Sequence, residues 1–444
     1  MRFAPSSLFN VRRDEVLPVA VAVGFFFCVL TALMILRPAR EALGMRGGLD
    51  AVRWLFVGTA LVTLLVNPVF GLLVSRLRRM QFIAATYLFF ALGLVGFYLL
   101  IVWAPAAVGV ASGQVFYVWF SVFNLFATMV FWALMSDRFA LEQSKRFFGL
   151  ISVGGTLGAI FGPWLASVLA RPLGTAGLLL VAAGFLLAAL ALGAAIVRIQ
   201  PEADPRAVQA RNRERIGGSA WEGAKAVFRS RYLAAIASYV VVLAIMATFL
   251  YFTRLQMVAA LGQELDTRTA LFARIDMLTQ IATLVIQLLV AGHLMKRLGV
   301  ALTLALLPLT TLLGFLGLAI VGSLAALIAF EAAFRAVQRA IMRPARETLF
   351  TVLSREDKYK SKAFIDTFVY RFGDVAGAQL EGMLGRLAMG LAAVAGVAVP
   401  LSIAWAGLAW WLGRAQQRIA MADAPAGPPA VTRAFNAVQE GGEP

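Results

Sequence analysis

Long hydrophobic runs separated by short polar stretches recur through most of this chain. A helix needs about 20 apolar residues to cross the hydrocarbon core of a bilayer, and the runs repeatedly reach that length. Six spans are predicted in the first half: roughly Val16–Leu36, Ala51–Val74, Phe82–Trp103, Val108–Met135, Phe148–Leu169, and a sixth ending near Val197. Six more cover roughly Tyr232–Tyr251, Ala270–Leu294, Val300–Val321, Leu324–Ala345, Ala363–Leu387 and Leu391–Leu412. Between Arg198 and Arg231 the hydrophobicity collapses, and eight basic residues gather with Pro201, Pro205, Gly217 and Gly218. The expected architecture is an all-α polytopic membrane protein of about 12 transmembrane helices in two six-helix halves. Its divisions are a first bundle over 1–198, a basic linker over 199–231, a second bundle over 232–414, and an Ala/Pro/Gly-rich disordered tail over 415–444.

Composition agrees with this pattern. The 444 residues are 61% hydrophobic and only 14% charged, so a soluble globule could not cover its surface with polar groups. A net charge of +17 suggests nucleic acid, but the basic residues concentrate in alternate loops, as the positive-inside rule requires. That places both termini in the cytoplasm, with the lipid bilayer as the protein's surroundings and no nucleic-acid partner. The first apolar run is too long for a signal-peptide core, so no cleavable leader is expected. The linker reads either as a solvated connector or as a basic stretch lying on anionic lipid. Cys28 sits in an apolar run as a lipid-facing or packing residue, and His293 stands beside Lys296 and Arg297 at a helix end. These two residues offer no metal site, and no cofactor is expected.

The charges inside the spans carry the functional signal. Glu331, Arg335, Arg339, Arg343 and Glu347 fall four residues apart, along one slowly drifting stripe of the tenth span. A charge at bilayer depth costs between about 3 and more than about 10 kcal/mol, so these side chains must face protein or water. The next span carries Asp366, Arg371, Asp374 and Glu381, with Asp366 and Asp374 eight positions apart and expected on one face. Guanidinium forks match carboxylate or phosphate oxygens in pairs and stay ionised when buried, so an organic anion is the natural ligand. Arg37, Arg40, Arg335, Arg339, Arg343, Arg371, Asn124 and Tyr370 are the candidate substrate-binding residues. Glu41, Glu331, Glu347, Lys360, Lys362, Asp366, Asp374 and Glu381 are the candidates for coupling or gating. On the fourth span Gln114, Tyr117, Ser121, Asn124 and Thr128 form a polar stripe, for interhelical hydrogen bonds or for cavity lining. Trp119, Phe123, Phe131, Trp132, Tyr251 and Tyr370 could stack on a purine-like ring.

The halves repeat. Shifted by 215 positions, Glu142–Gly162 falls on Asp357–Gly377, matching Lys145 with Lys360, Gly158 with Gly373 and Gly162 with Gly377. Arg37 after the first span similarly approaches Arg254 after the seventh. Gly154, Gly158 and Gly162 make a small-residue stripe suited to close helix contact.

Three segments resemble the ATP/ADP translocase, or NTP/NDP exchange transporter, family: "ILRPAREAL", "FWALMSDRFALEQSKRFFGLISVGGTLGAIFGP" and "RPARETLFTVLSREDKYKSKAFIDTF". The resemblance implies the major facilitator fold and nucleotide exchange. It puts Arg40 in the place of the family's first-span lysine and matches Lys360, Lys362, Ile365 and Asp366 to the "KxKAxID" run. In the seventh span the family carries an acid where this chain has Leu250 or Tyr251. The expected function is that of a monomeric secondary transporter, not an enzyme, moving a nucleotide-like or otherwise phosphorylated anion by alternating access. The alternative is a non-transporting lipid-handling or assembly protein on the same fold.

Overall fold

The structure, a computed structural model, describes residues 12, 14–76, 79–200, 220–262, 264–386 and 390–422. The described residues are almost wholly helical. The described part of the chain begins with α1 (Val16–Gly44), α2 (Gly48–Arg76), α3 (Arg79–Trp103) and α4 (Ala106–Arg138). The run Leu141–Ile199 bends at Gly174, whose φ of 71° suits a residue without a Cβ, and divides into α5 (141–173) and α6 (175–199). A short α7 (Ala220–Arg229) precedes α8 (Arg231–Leu261). Leu265–Val321 bends in the same way at Gly299, giving α9 (265–298) and α10 (300–321). Next, α11 (324–349) comprises Leu324–Val337, a π turn at Gln338–Met342, and Arg343–Leu349. Helix α12 (355–386) repeats that construction, with its π turn at Ile365–Val369, and α13 covers Gly390–Ala422.

Among the described residues, eight stretches are long and apolar enough to cross a membrane. Two of these, Val16–Val66 and Arg146–Ile199, each hold a pair of helices. The membrane-length helices outside that set are α11 and α12, where charges and π turns interrupt the apolar run.

Two boundaries differ from the sequence expectation. The first span extends past Leu36: Pro38, which lacks a backbone N–H and would kink or break an unsupported helix, lies inside α1, which continues to Gly44. Packed neighbours make such a proline tolerable in a membrane helix, and α5 presses on the preceding turn, with Gly162 against Thr31 and Met34. At the other end α13 runs to Ala422, into the segment expected to be disordered, because Ala415–Ala422 is built mostly of good helix formers. Within the predicted linker, Ala220–Arg229 is helical. Residues 201–219 of the linker and 423–444 of the tail lie outside the described residues, as do the side chains of His293 and Lys145.

Apolar side chains gather into two large cores. One is built from α1, α3, α4, α5 and α6, with Phe25, Phe131 and Leu186 at its centre; Cys28 packs half-buried against it. The other draws on α8, α10, α11, α12 and α13, around Tyr239, Phe330 and Trp405. A third, smaller cluster joins Ala42, Met45, Val52 and Tyr117 to Phe252, Leu255, Phe272 and Ala378, across the two.

The glycine stripes make close helix contacts. A Cβ on Gly158 would lie 2.5 Å from the Phe27 carbonyl oxygen, and one on Gly154 would lie 2.3 Å from that of Val23. In the second half Gly373 meets Ala244 and Val241, and Gly377 meets Ile245 and Thr248. Gly162 rests on Thr31 and its repeat partner Gly377 on Thr248, which makes Thr31 and Thr248 equivalent. That same offset pairs Arg37 with Arg254, so the two sequence matches describe one geometric repeat in which α5 packs on α1 as α12 packs on α8.

Gly158→Ala is expected to destabilise the protein by about 1–3 kcal/mol, the usual cost of forcing atoms into a packed contact. Gly149→Ala on the same helix, where a Cβ meets nothing within 4 Å, should leave the melting temperature unchanged or slightly raised. Thermal unfolding of the two purified variants makes the comparison.

Candidate functional site

The deepest polar group is organised by Asp276 on α9. Its Oδ1 accepts a hydrogen bond from Arg254 Nη1 on α8 at 2.9 Å and lies 3.6 Å from Arg335 Nη2 on α11. Oδ2 lies 3.7 Å from Arg37 Nε on α1. Glu331, one turn before Arg335, accepts a hydrogen bond from it and stands 3.4 Å from Arg254 Nη1. Only 1% of the Arg254 and Asp276 side chains is exposed, so each charge depends on the other rather than on water. Arg37 and Arg254, equivalent in the repeat, both converge on this one carboxylate.

A second group lies nearer the Gly44 end of α1, the far end. Arg40 sits 3.8 Å above the Tyr117 ring and 3.6 Å from Glu41. Tyr251 of α8 donates to Glu41, and its hydroxyl is 2.8 Å from that of Tyr117. Tyr251 is one of the two residues that stand where the acid of the seventh span was missing. The carboxylate beside it is that of Glu41, supplied by α1.

Two cavities adjoin these groups. One of about 170 Å³ is lined by Arg40, Thr59, Tyr117, Asn124, Arg371 and Asp374. The other, about 360 Å³, lies where α1, α4, α5, α9 and α11 meet, with Phe26, Trp132, Thr156, Gln280, Gln287 and Arg339 on its wall. The Arg339 side chain is open to solvent there, its Nη1 3.4 Å from Gln280 Oε1. Arg343, one turn on, is also exposed. Among the described residues neither Arg339 nor Arg343 has a carboxylate within 4.0 Å. Seven guanidiniums (Arg37, Arg40, Arg254, Arg335, Arg339, Arg343, Arg371) face four carboxylates (Glu41, Asp276, Glu331, Asp374), an excess of three positive charges.

The expected stripe on α11 is divided by this arrangement. The π turn Gln338–Met342 adds a residue to one turn and rotates the rest of the helix. Glu331 and Arg335 are buried in the Asp276 network, Arg339 and Arg343 stay open, and Glu347 joins a separate cluster. There Arg346 pairs with Asp366 at 2.9 Å, Lys362 with Glu347 at 2.5 Å, and Lys360 with Glu222 at 2.6 Å. Asp366 and Asp374 have separate partners, and Asp366 belongs to the Arg346 cluster. Asp374 instead pairs with Arg371 at 3.1 Å. Glu381 lies apart at the far end, held by Arg53 of α2 at 2.8 Å and Gln256 of α8. Asn124 lines the smaller cavity with Tyr117 and Ser121, so the polar stripe of α4 serves as lining there. Tyr370 packs against the second core, and Trp119, Phe123 and Phe131 are engaged with other rings. Of the proposed aromatic partners, Trp132 lies on the wall of the larger of these two cavities.

Asp276 and Arg53 escaped the sequence reading, and Arg254 entered only as a repeat match. Asp276 stands in an apolar run with a neighbouring basic residue, Arg274, which gives the local pattern of a span end rather than a buried site.

The chain matches the Major Facilitator Superfamily over residues 17–342 and belongs to it. Among solved structures, a point mutant of the nucleoside transporter NupG superposes with a TM-score of 0.60 at 12% identity, covering 91% of this chain and 99% of that one. A bacterial homolog to human lysosomal transporter Spinster, in inward-facing and unoccupied conformation, gives 0.55 at 12% identity, over 92% and 98%. No curated protein matches by sequence. The protein is a transporter of this superfamily and not an enzyme.

Asp276→Ala is expected to cost about 3–5 kcal/mol of stability, since it leaves buried arginines without their counter-charge. Arg339→Ala, which removes a solvent-open side chain, should stay within about 0.5 kcal/mol of the parent. Paired thermal unfolding curves distinguish the two roles.

Proposed function

We propose that the transporter carries an organic anion, nucleotide-like or otherwise phosphorylated, by alternating access between its two bundles, with both termini in the cytoplasm of a bacterial inner membrane. The observation that supports this most is the pair Arg339 and Arg343, two guanidiniums within the predicted tenth span that have no carboxylate within 4.0 Å among the described residues. Retaining them there is costly unless a passing ligand supplies the negative charge. Arg40, Arg371 and Asn124 on the smaller cavity extend the donor set to a second acceptor group. Arg37 and Arg335 take part while shared with Asp276, and Glu41 and Asp374 are the acids placed to respond to an arriving anion. Exchange, as the translocase resemblance implies, fits a site whose positive excess is neutralised by whichever anion occupies it. That one solved neighbour is a nucleoside transporter bears on the fold; the preference for an anion rests on the arginines.

Labelled nucleotide should enter proteoliposomes with saturation, faster when unlabelled nucleotide is inside. Replacing Arg339 and Arg343 together by Ala should lower uptake at limiting substrate at least tenfold, from loss of charge-assisted hydrogen bonds worth about 1.5–3 kcal/mol each. A panel of nucleotides, sugar phosphates and dicarboxylates with no saturable flux, or a double variant as fast as the parent, would refute the assignment.

A further inference from the structure

A separate group of arginines lies at the opposite end of the bundle from the Arg40 group, where α8 begins and α13 leaves its apolar span. Arg231, the first residue of α8, faces Arg414 and Arg418, one turn apart on α13. They share a groove of about 420 Å³ with Tyr232, Trp410, Trp411 and Ile419, and no acidic residue lines it. All three arginines are exposed, and among the described residues none has a carboxylate within 4.0 Å. The groove has a fixed form on two sides. Tyr232 is anchored by its hydroxyl, which donates to the Leu349 carbonyl at 2.9 Å, and Arg414 lies 4.9 Å from the centre of the Trp410 ring.

Its position identifies the class of ligand. The apolar span Ala393–Met421 places these residues at the level where hydrocarbon gives way to headgroups. Trp410 and Trp411 are 41% and 48% exposed, and Ile403, further along the same helix, is 59% exposed. Tryptophan prefers that interface, and exposed apolar side chains on a spanning helix face acyl chains. Guanidiniums above an apolar, aromatic wall match a phosphodiester attached to two hydrocarbon tails. A soluble anion would leave the wall unused.

We propose that this groove is a binding site for an anionic phospholipid, which places its phosphate among Arg231, Arg414 and Arg418 and its acyl chains along Trp411 and Ile403. The site is remote from the central cavities, and the inference does not depend on which solute is transported. Near a membrane surface each basic residue strengthens the attraction to anionic lipid about fivefold.

The test uses the purified full-length chain in a neutral detergent, titrated with phosphatidylglycerol, phosphatidylcholine or inorganic phosphate while thermal unfolding is followed. Phosphatidylglycerol should raise the melting temperature in a saturable way by favouring the folded state, and the other two should not. The R414Q/R418Q double variant should need about twenty-five-fold more phosphatidylglycerol for the same rise, the product of about fivefold for each charge. R229Q, which removes an exposed arginine on α7 outside the groove, should behave as the parent. The changed residues are exposed, so the lipid-free melting temperature of the double variant should match the parent and show that both are folded. Equal stabilisation by phosphatidylcholine or by inorganic phosphate would overturn the proposal, as would a double variant that responds to phosphatidylglycerol like the parent.

Discussion

The structure depends on one constraint: a guanidinium cannot be left in hydrocarbon without a counter-charge. Arg254 is fully enclosed, and its charge is met by Asp276 and Glu331. Helices α8, α9 and α11 are therefore tied together by ionic contacts as well as by apolar packing. Replacing such a network with matched apolar side chains often leaves stability unchanged or improved, so stability alone is a weak reason for its presence. What apolar packing could not supply is an electrostatic environment in which Arg339 keeps an exposed head toward a cavity and Arg343, one turn on, stays exposed.

The two halves meet that constraint unequally. Close backbone packing is repeated faithfully, with α5 on α1 and α12 on α8 through equivalent glycines. Charge is not repeated. Arg37 has its equivalent in Arg254, yet both turn to a single acid on α9, and the open guanidiniums Arg339 and Arg343 belong to the second half. A symmetric scaffold thus holds an asymmetric site, as binding one asymmetric solute requires.

The fold was largely legible because the length and helical character of the spans follow from hydropathy, which reports the bilayer itself. The glycine stripe was legible for a similar reason, since a small-residue period has few uses other than close contact. The site was legible only in part. Arg335, Arg339, Arg343 and Arg371 declared themselves as charges in apolar surroundings. Which of them would be paired depended on Asp276, distant in sequence from every partner but Arg254, and on two π turns that no residue periodicity discloses. Glu381 and Asp366 show the same limit. Their residue types were informative, but their partners, Arg53 and Arg346, are set by how α2 and α11 lie against α12.

The contacts that cross between the halves suit a carrier. At the far end Arg53 reaches Glu381, Tyr251 reaches Glu41, and the Thr175 backbone N–H and hydroxyl both donate to Asp266 at 2.7 Å. Polar ties of this kind can be exchanged for water when the bundles part, at a net cost of about 1 kcal/mol each. At mid-depth the crossing contact is Arg37 to Asp276, at 3.7 Å longer than the 2.9 Å by which Asp276 holds Arg254 within its own half. Under the proposed function this difference has a consequence. An anion entering the central site competes with Asp276 first for its more loosely held partner, and drawing Arg37 away removes a tie between the bundles without exposing Arg254. Occupancy of the site and freedom of the halves to separate are then coupled through one carboxylate, because the ligand acts only through its differential interaction with the joined and parted states.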